Sequence, residues 1–295
     1  MRPKPLAEFA LAQTRARLKR VISAVRLAPK HSQDPKTAHD LRVAIRRFLQ
    51  CLRMFGGWFD PKPAEKLRER LRKLLDLCGA KRDYDVGLAV LAEAGLPPQH
   101  SVVLKFREQR DPASRALERH LGKKSTRASA DRWRKQLRAA KDPGGEWDWP
   151  AGAAEFFRDG DAAVDARGDY ETLHQFRLGA KRLRYTLEVF LPAYGAGLKS
   201  RLPALRRLQD RMGAVNDCVV VLKLPGMDRA AAAAVGRLLL AREAAFRRFW
   251  QETFSARSRE AWMRALSGPR QRPPAGSRTA PRVPEPRPGG RAKSG

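Results

Sequence analysis

Two segments of this sequence place a histidine among arginine and lysine residues at helical spacing. In the first segment, His39 is followed by Arg42, Arg46 and Arg47. If the segment is a helix, with about 100° between successive residues, these cations share a face with His39. Like charges at this spacing repel one another, so a stripe of them is typical of a surface that binds an anion. Arginine forms paired hydrogen bonds with phosphate oxygens, and histidine donates one or two more.

The second segment lies 135 residues further along the chain. Residues 169–177 repeat the Asp, Thr, His and Arg of residues 34–42 at the same relative positions. A later pair, residues 71–86 and 205–220, matches at almost the same offset. Two ordered matches at one offset indicate a tandem duplication of a helical unit. The basic stripe of the second copy consists of His174, Arg177, Lys181, Arg182 and Arg184.

Both copies of the stripe require helices with two chemically distinct faces. Leu41, Ile45 and Phe48 lie opposite the first stripe, and Phe176 and Leu187 lie opposite the second. Each helix should therefore bury its apolar face and present its basic face to a shared groove or pore. We expect Arg177 and Lys181 to face solvent.

The chain reads as helix almost throughout. Apolar residues recur at three- and four-residue spacing, and Pro and Gly separate the periodic stretches. Residues 219–222 are the single ambiguous piece, which we interpret as the start of a buried helix rather than a strand. Asp34 and Asp169 occupy positions where each repeated helix should have its N-cap. The predicted helical stretches are residues 6–27, 35–55, 64–78, 170–190, 198–213 and 229–254.

The predicted fold is all-α, with two pseudo-symmetric helical bundles around a basic central groove or pore. Residues 1–267 form the helical domain, with a first repeat over about 5–140 and a second over about 150–267. Residues 268–295 are rich in Pro, Gly and basic residues. We expect them to be a disordered tail, which is either a solvated arm or an additional attraction for the same anion.

Composition limits the partners. The chain has 295 residues, 61 Lys and Arg against 31 Asp and Glu, and a net charge of +30, which favours a polyanion. Its three cysteines lie far apart, so we expect no disulfide framework and no structural zinc site. We also expect no other metal site and no cofactor. No apolar run is long enough to span a bilayer and no signal peptide begins the chain, so a cytoplasmic location is expected.

At these residues the sequence resembles the CHAD family, the conserved histidine α-helical domain. The resemblance rests on residues 39–47 and 174–184 and on the two Gly-Ala-x-x-Asp segments, 79–83 and 213–217, and it covers about residues 5–265. It implies two pseudo-symmetric bundles, a basic central surface that binds inorganic polyphosphate, and association with polyphosphate granules. The implied binding residues are His39, Arg42, Arg46, Arg47, Arg82, His174, Arg177, Lys181, Arg182 and Arg184.

The sequence departs from this family in two ways. Leu49 stands where the family usually has a basic residue and where the second copy has Arg184. The first stripe is therefore shorter, and binding is expected to depend more on the second half. Many relatives also carry a triphosphate-hydrolysing domain marked by Glu-x-Glu-x-Lys, and that motif does not occur in this sequence. We expect no such activity.

Three interpretations compete for the function. The leading one is noncatalytic polyphosphate binding, and the alternative is a general nucleic-acid or nucleoid-associated protein. Few aromatic residues accompany the stripes, which argues against stacking with single-stranded nucleic acid. An enzyme that uses His39 or His174 in phosphoryl transfer is least favoured, because no phosphatase motif, Gly-rich loop or metal cluster accompanies them. Asp83 and Asp217 are expected to orient arginines or cap helices. Protein partners are not predicted.

Overall fold

Helices make up most of the part of the chain that the structure describes. This computed structural model describes residues 3–28, 35–122, 132–135, 137–139, 150–194 and 199–266. A 3-10 turn, Gly56–Trp58, joins the second helix to the third, and within these ranges no strand is present. The all-α prediction is confirmed. The α-helices are α1 (Pro3–Leu27), α2 (Pro35–Met54), α3 (Pro61–Glu93), α4 (Ser101–Gly122), α5 (Pro150–Asp165), α6 (Tyr170–Tyr194), α7 (Leu202–Leu222), α8 (Arg229–Thr253) and α9 (Ala256–Leu266).

Two of the helices run further than their predicted stretches. The third continues past Gly79 and the seventh past Gly213, because neither glycine has a positive φ and the helical hydrogen bonds are not interrupted. Residues 219–222 therefore form the last turn of α7. Our interpretation of them as helix rather than strand is confirmed, but they end a helix and do not start one. The predicted tail, residues 268–295, and the predicted N-cap Asp34 lie outside the described residues.

The N-cap predicted for the second repeated helix is present. Asp169 Oδ1 accepts hydrogen bonds from the backbone N–H groups of Glu171, at 3.0 Å, and Thr172, at 3.1 Å. These bonds satisfy amides of the first turn, which have no partner within the helix. The Thr172 hydroxyl also donates to Asp169 Oδ2, and this bond, with the backbone bonds, lowers the pKa of Asp169. The cap fixes where α6 begins and hence where His174 lies.

The described residues contain two apolar cores. The first is built mainly from α1, α2 and the first half of α3, and the predicted apolar residues Leu41, Ile45 and Phe48 are fully buried in it. The second is built mainly from α5 to α9, together with the end of α3 and the start of α4. Burying each large apolar side chain contributes about 1.5–3 kcal/mol, so these faces hold α2 and α6 in fixed orientations.

The two repeated helices pack against each other. Gln50 Nε2 of α2 donates to Thr186 Oγ1 of α6 across 3.3 Å. Beyond this pair, the Phe190 ring stacks on Phe9 with centroids 5.6 Å apart and meets the edge of Phe55 at 6.2 Å. The third and seventh helices also pack together. These contacts bring the sequence-predicted basic faces to the junction between the halves.

Matching helices pack in the same order in both halves. The first helix lies on the second, the second on the third and the third on the fourth, and α5 to α8 follow the same order. A tandem repeat is expected to give this pattern. The two-fold relation and the repeat boundaries stay predictions.

Candidate anion-binding site

Five cations from α2, α3 and α6 interact at the junction of the halves. We call Arg42, Arg46, Arg82, Arg177 and Lys181 the central cluster. Burial, followed by the charges of Arg177 and Arg46, lowers the pKa of Lys181 to about 7. Arg46 belongs to the first stripe and Lys181 to the second. The two stripes therefore come close enough for their charges to interact.

Two arginines of the central cluster are also affected by burial and by a neighbouring positive charge. Burial and then the charge of Arg46 lower the pKa of both Arg42 and Arg177. Arg42 Nη1 donates to the backbone carbonyl of Leu75 across 3.2 Å, which fixes the guanidinium against α3. Burying like charges side by side costs free energy, and an anion bound among them lowers that cost.

Two carboxylates lie within the central cluster. Burial is the main cause of the raised pKa of Asp83 and of Asp217, and the charge of Asp217 raises the pKa of Asp83 further. Arg82 opposes both shifts, so it lies near both carboxylates. Two carboxylates against five cations leave the cluster positive. Their position among arginines fits the expectation that they orient arginine side chains.

The two repeated histidines differ in their surroundings. His174 Nδ1 lies 3.1 Å from Asn216 Oδ1 and 3.4 Å from Arg177 Nη2. In one tautomer Nδ1 donates to the amide oxygen, and in the other it accepts from the guanidinium. His39 keeps an exposed face, and partial burial followed by the charge of Arg82 lowers its pKa. Asn216 occupies the position in the second copy that Arg82 occupies in the first. Each histidine therefore faces a different polar partner.

The outer end of the site contains a carboxylate that the sequence analysis did not identify. Glu188 Oε1 accepts a hydrogen bond from Arg184 Nη1 at 2.7 Å, and Glu188 Oε2 lies 3.3 Å from Arg47 Nε. Arg184 Nε also donates to Gln209 Oε1 across 2.6 Å. The structure thus brings two predicted binding residues from opposite halves together, but both are engaged by the same carboxylate.

The expectation that Arg177 and Lys181 face solvent was wrong. Arg177 and Lys181 are half-buried on α6, which packs against α2, α5 and α7. Arg182 is exposed. The pKa of Arg53 is lowered mainly by the burial of Arg53 itself and secondly by the charge of Arg182. The site therefore has a partly desolvated centre and an exposed basic flank.

Two flanking residues carried a signal in the sequence. Arg53 lies on the same helical face as Arg42 and Arg46, at about two further turns. Glu188 is the residue 135 positions after Arg53, so the repeat itself places an acid in the second stripe. Arg206, which lies 3.9 Å from Glu188, matches Arg72 of the first copy. Extending the periodic comparison of the stripes by two turns would have found Arg53 and Glu188, whereas Arg206 lies within the second pair of repeated segments, 71–86 and 205–220.

Comparison with known proteins identifies the family. PptA from Streptomyces chartreusis is 21% identical, with a TM-score of 0.55 over 83% of this chain and 99% of that chain. The CHAD domain from the plant Ricinus communis is 22% identical, with a TM-score of 0.52 over 90% and 93%. No curated protein sequence matches significantly. None of the described helices combines the length and apolarity that crossing a membrane requires. The CHAD domain family model matches residues 7–224, and the chain therefore belongs to the CHAD family.

Proposed function

We propose that this protein binds inorganic polyphosphate without catalysis, through the central cluster and the exposed basic residues beside it. One observation carries the proposal: the charge of Arg46, in the first half, lowers the pKa of Arg177 and of Lys181, in the second half. Cations of both halves therefore lie close enough together to bind one anion. The CHAD family is known for polyphosphate binding. A chain of phosphates supplies one negative charge at each step, which suits a row of cations better than a single small anion does.

Tyr185, which follows Arg184 in the second stripe, is arranged in a way that favours polyphosphate over single-stranded nucleic acid. Tyr185 is only 9% exposed, and the Arg184 guanidinium carbon lies 4.6 Å from its ring centroid. Its face is therefore not open to a base. Proteins that bind single strands usually offer open aromatic faces, and phosphate contacts alone read no base.

The surroundings of His174 support binding rather than phosphoryl transfer. A histidine that acts as a general base is usually oriented by a carboxylate that stabilises the imidazolium. His174 Nδ1 instead faces the neutral amide oxygen of Asn216. Multiple-turnover release of phosphate from polyphosphate or triphosphate, with Mg²⁺ or Mn²⁺ present, would overturn the noncatalytic part of the proposal.

Competition binding decides between polyphosphate and nucleic acid. Labelled polyphosphate is displaced by unlabelled polyphosphate or by double-stranded DNA at equal phosphate concentration, across a salt series. We expect polyphosphate to be the stronger competitor at every salt concentration, and both affinities to fall as salt rises. If DNA displaces the label equally well, the protein is a general nucleic-acid binder.

Granule association is tested in cells. A fluorescent fusion of the full chain should co-localise with stained polyphosphate granules, and substitution of Arg177 and Lys181 by Ala should disperse it. A fusion that remains diffuse in cells rich in granules would contradict this part of the proposal.

A further inference from the structure

A pocket opens beside His174, between the first turns of α6 and the last turns of α7. Its volume is about 280 Å³, somewhat below the ~300 Å³ at which drug-sized ligand sites begin. A pocket of this volume holds one ring system with its substituents. His174 and Arg177 form part of its wall, so the pocket adjoins the central cluster. The lining residues are Tyr170, Glu171, Leu173, His174, Arg177, Met212, Val215, Asn216, Val219, Val220 and Lys223.

The first half of the chain is built differently at the corresponding position. Val215 and Val219 match Lys81 and Asp85 of the first repeat. Lys81 is fully buried with its Nζ 3.9 Å from Asp85 Oδ2, and Arg110 Nε donates to Asp85 Oδ1 across 2.5 Å. The first half thus has a buried ionic network where the second half has an apolar-walled pocket.

The chemistry of the pocket does not suit inorganic phosphate alone. Most of its wall is apolar, from Leu173, Met212 and the valines of α7. Glu171 also lines it, and a carboxylate repels a bare polyanion. The cations Arg177 and Lys223 lie along the remaining wall, together with the His174 imidazole. Such a combination of an apolar wall and a few convergent polar groups matches a ligand that joins an uncharged ring to phosphate.

We propose that this pocket binds the organic part of a nucleoside polyphosphate, with its phosphates extending from Arg177 to Lys181 in the central cluster. The base lies against the valines of α7, and Glu171 accepts hydrogen bonds from the sugar hydroxyls. The inference rests on the proposed function, because the same cations hold the phosphates. It adds that the second half distinguishes phosphate esters from inorganic phosphate chains.

Ligands of matched phosphate number test the pocket. ATP and UTP are compared with inorganic triphosphate as competitors of labelled polyphosphate on the full chain. Triphosphate carries the higher charge, so electrostatics alone makes it the stronger competitor. Burial of the base reverses this order, and we expect the nucleotides to bind about tenfold more tightly. If triphosphate is as strong as both nucleotides, the inference fails. If labelled polyphosphate itself does not bind, the proposed function fails instead.

Variants that alter the pocket identify the site. Val215→Lys with Val219→Asp copies the first half into the second, and Val219→Phe fills the pocket without adding charge. Either variant should remove the preference for nucleotides while leaving the affinity for polyphosphate within about twofold. The control is Leu240→Phe, at a side chain on α8 that is 64% exposed. An unchanged preference in a folded Val219→Phe variant would overturn the inference.

Spectroscopy supplies a readout that does not depend on any variant. Irradiating the methyl resonances of the protein should transfer saturation to the base protons of ATP, because Val215, Val219 and Val220 line the pocket. Base protons that receive no saturation, in the presence of bound ATP, would show that the base points into solvent and would overturn the inference.

Discussion

Arg47 and Glu188 join the two halves of this CHAD domain across its basic surface. Arg47 Nε of α2 lies 3.3 Å from Glu188 Oε2 of α6, and the Glu188 side chain is only 15% exposed. The carboxylate also engages Arg184. Two cations that the sequence assigns to phosphate binding are therefore paired before any ligand arrives. A bound phosphate must compete with Glu188 for them.

Glu188→Gln should strengthen polyphosphate binding. The substitution removes a negative charge from the site and releases Arg47 and Arg184, so we expect the Kd to fall about two- to fivefold at low salt. Fluorescence anisotropy with labelled polyphosphate measures it. Glu252→Gln removes the same charge from an exposed position on α8 and is the matched control. An unchanged or weaker affinity in Glu188→Gln would mean that this carboxylate orders the site instead of competing with phosphate.

Arg177→Ala with Lys181→Ala should weaken polyphosphate binding about tenfold or more at low salt. The slope of log affinity against log salt concentration should become shallower by about one to two, which corresponds to the loss of one or two phosphate contacts. Helicity and Tm should change little, because both side chains lie among like charges that repel them. The control is Arg115→Ala with Arg119→Ala, at exposed positions on α4. Loss of cooperative unfolding in the double variant would show that the central cations are structural.

Polyphosphate affinity should depend on pH around the pKa of Lys181, which burial and neighbouring charges lower to about 7. A phosphate chain favours charged Lys181, so binding takes up a proton and should be about three- to tenfold tighter at pH 6 than at pH 8. In Lys181→Arg the side chain stays charged throughout this range, so the polyphosphate affinity should change less near pH 7. Three other groups should strengthen binding further at lower pH. His39 gains a proton there because its pKa is lowered below 6.5. Asp83 and Asp217 have raised pKa values, and protonation removes their negative charges from the site.

The same lysine affects the stability of the free protein. Its pKa is lowered on folding from 10.5 to about 7, so the unfolded chain binds more protons between these values and stability should rise with pH there. Urea denaturation at pH 7 and pH 9 measures this rise. Lys181→Arg should show a smaller rise, because arginine stays charged in both states. An equal rise in both proteins would assign the effect to other groups.

Gly79→Ala and Gly213→Ala should differ, although the two glycines occupy matching positions in the repeats. A Cβ at Gly79 would lie 3.2 Å from Arg42 Nη1, whereas a Cβ at Gly213 would meet nothing within 4 Å. Alanine favours a helix by about 1 kcal/mol over glycine, so Gly213→Ala should raise stability by up to that amount. Gly79→Ala should stabilise less and weaken polyphosphate affinity by about twofold, because the guanidinium must shift. Equal effects in both variants would exclude a role for this close approach.

Periodicity along the chain was sufficient to predict the two basic helices. The apolar residues opposite each stripe lie in the cores, and the N-cap at Asp169 is where the sequence placed it. These features depend on spacing within one helix and on hydrogen bonds within one turn, which are local properties. The tail and Asp34 fall outside the described residues, so the predictions about them remain predictions.

Features that depend on the packing between helices were not predictable in this way. The burial of Arg177 and Lys181 depends on how other helices pack around α6, and no local pattern specifies that packing. The role of Glu188 depends on Arg47, which lies on another helix. The pocket exists because Val215 and Val219 lie beside His174 in space although about forty residues separate them along the chain.

The sequence by itself determined that the chain forms basic, amphipathic helices in duplicate, because charge and apolar spacing are properties of each segment. Only the tertiary structure decided which cations meet, which are held by Glu188 and which lose water, because these depend on distances between residues far apart in the chain. Coulomb energies and desolvation vary steeply with such distances. The same basic residues therefore acquire different chemical environments at the centre and at the edge of the site.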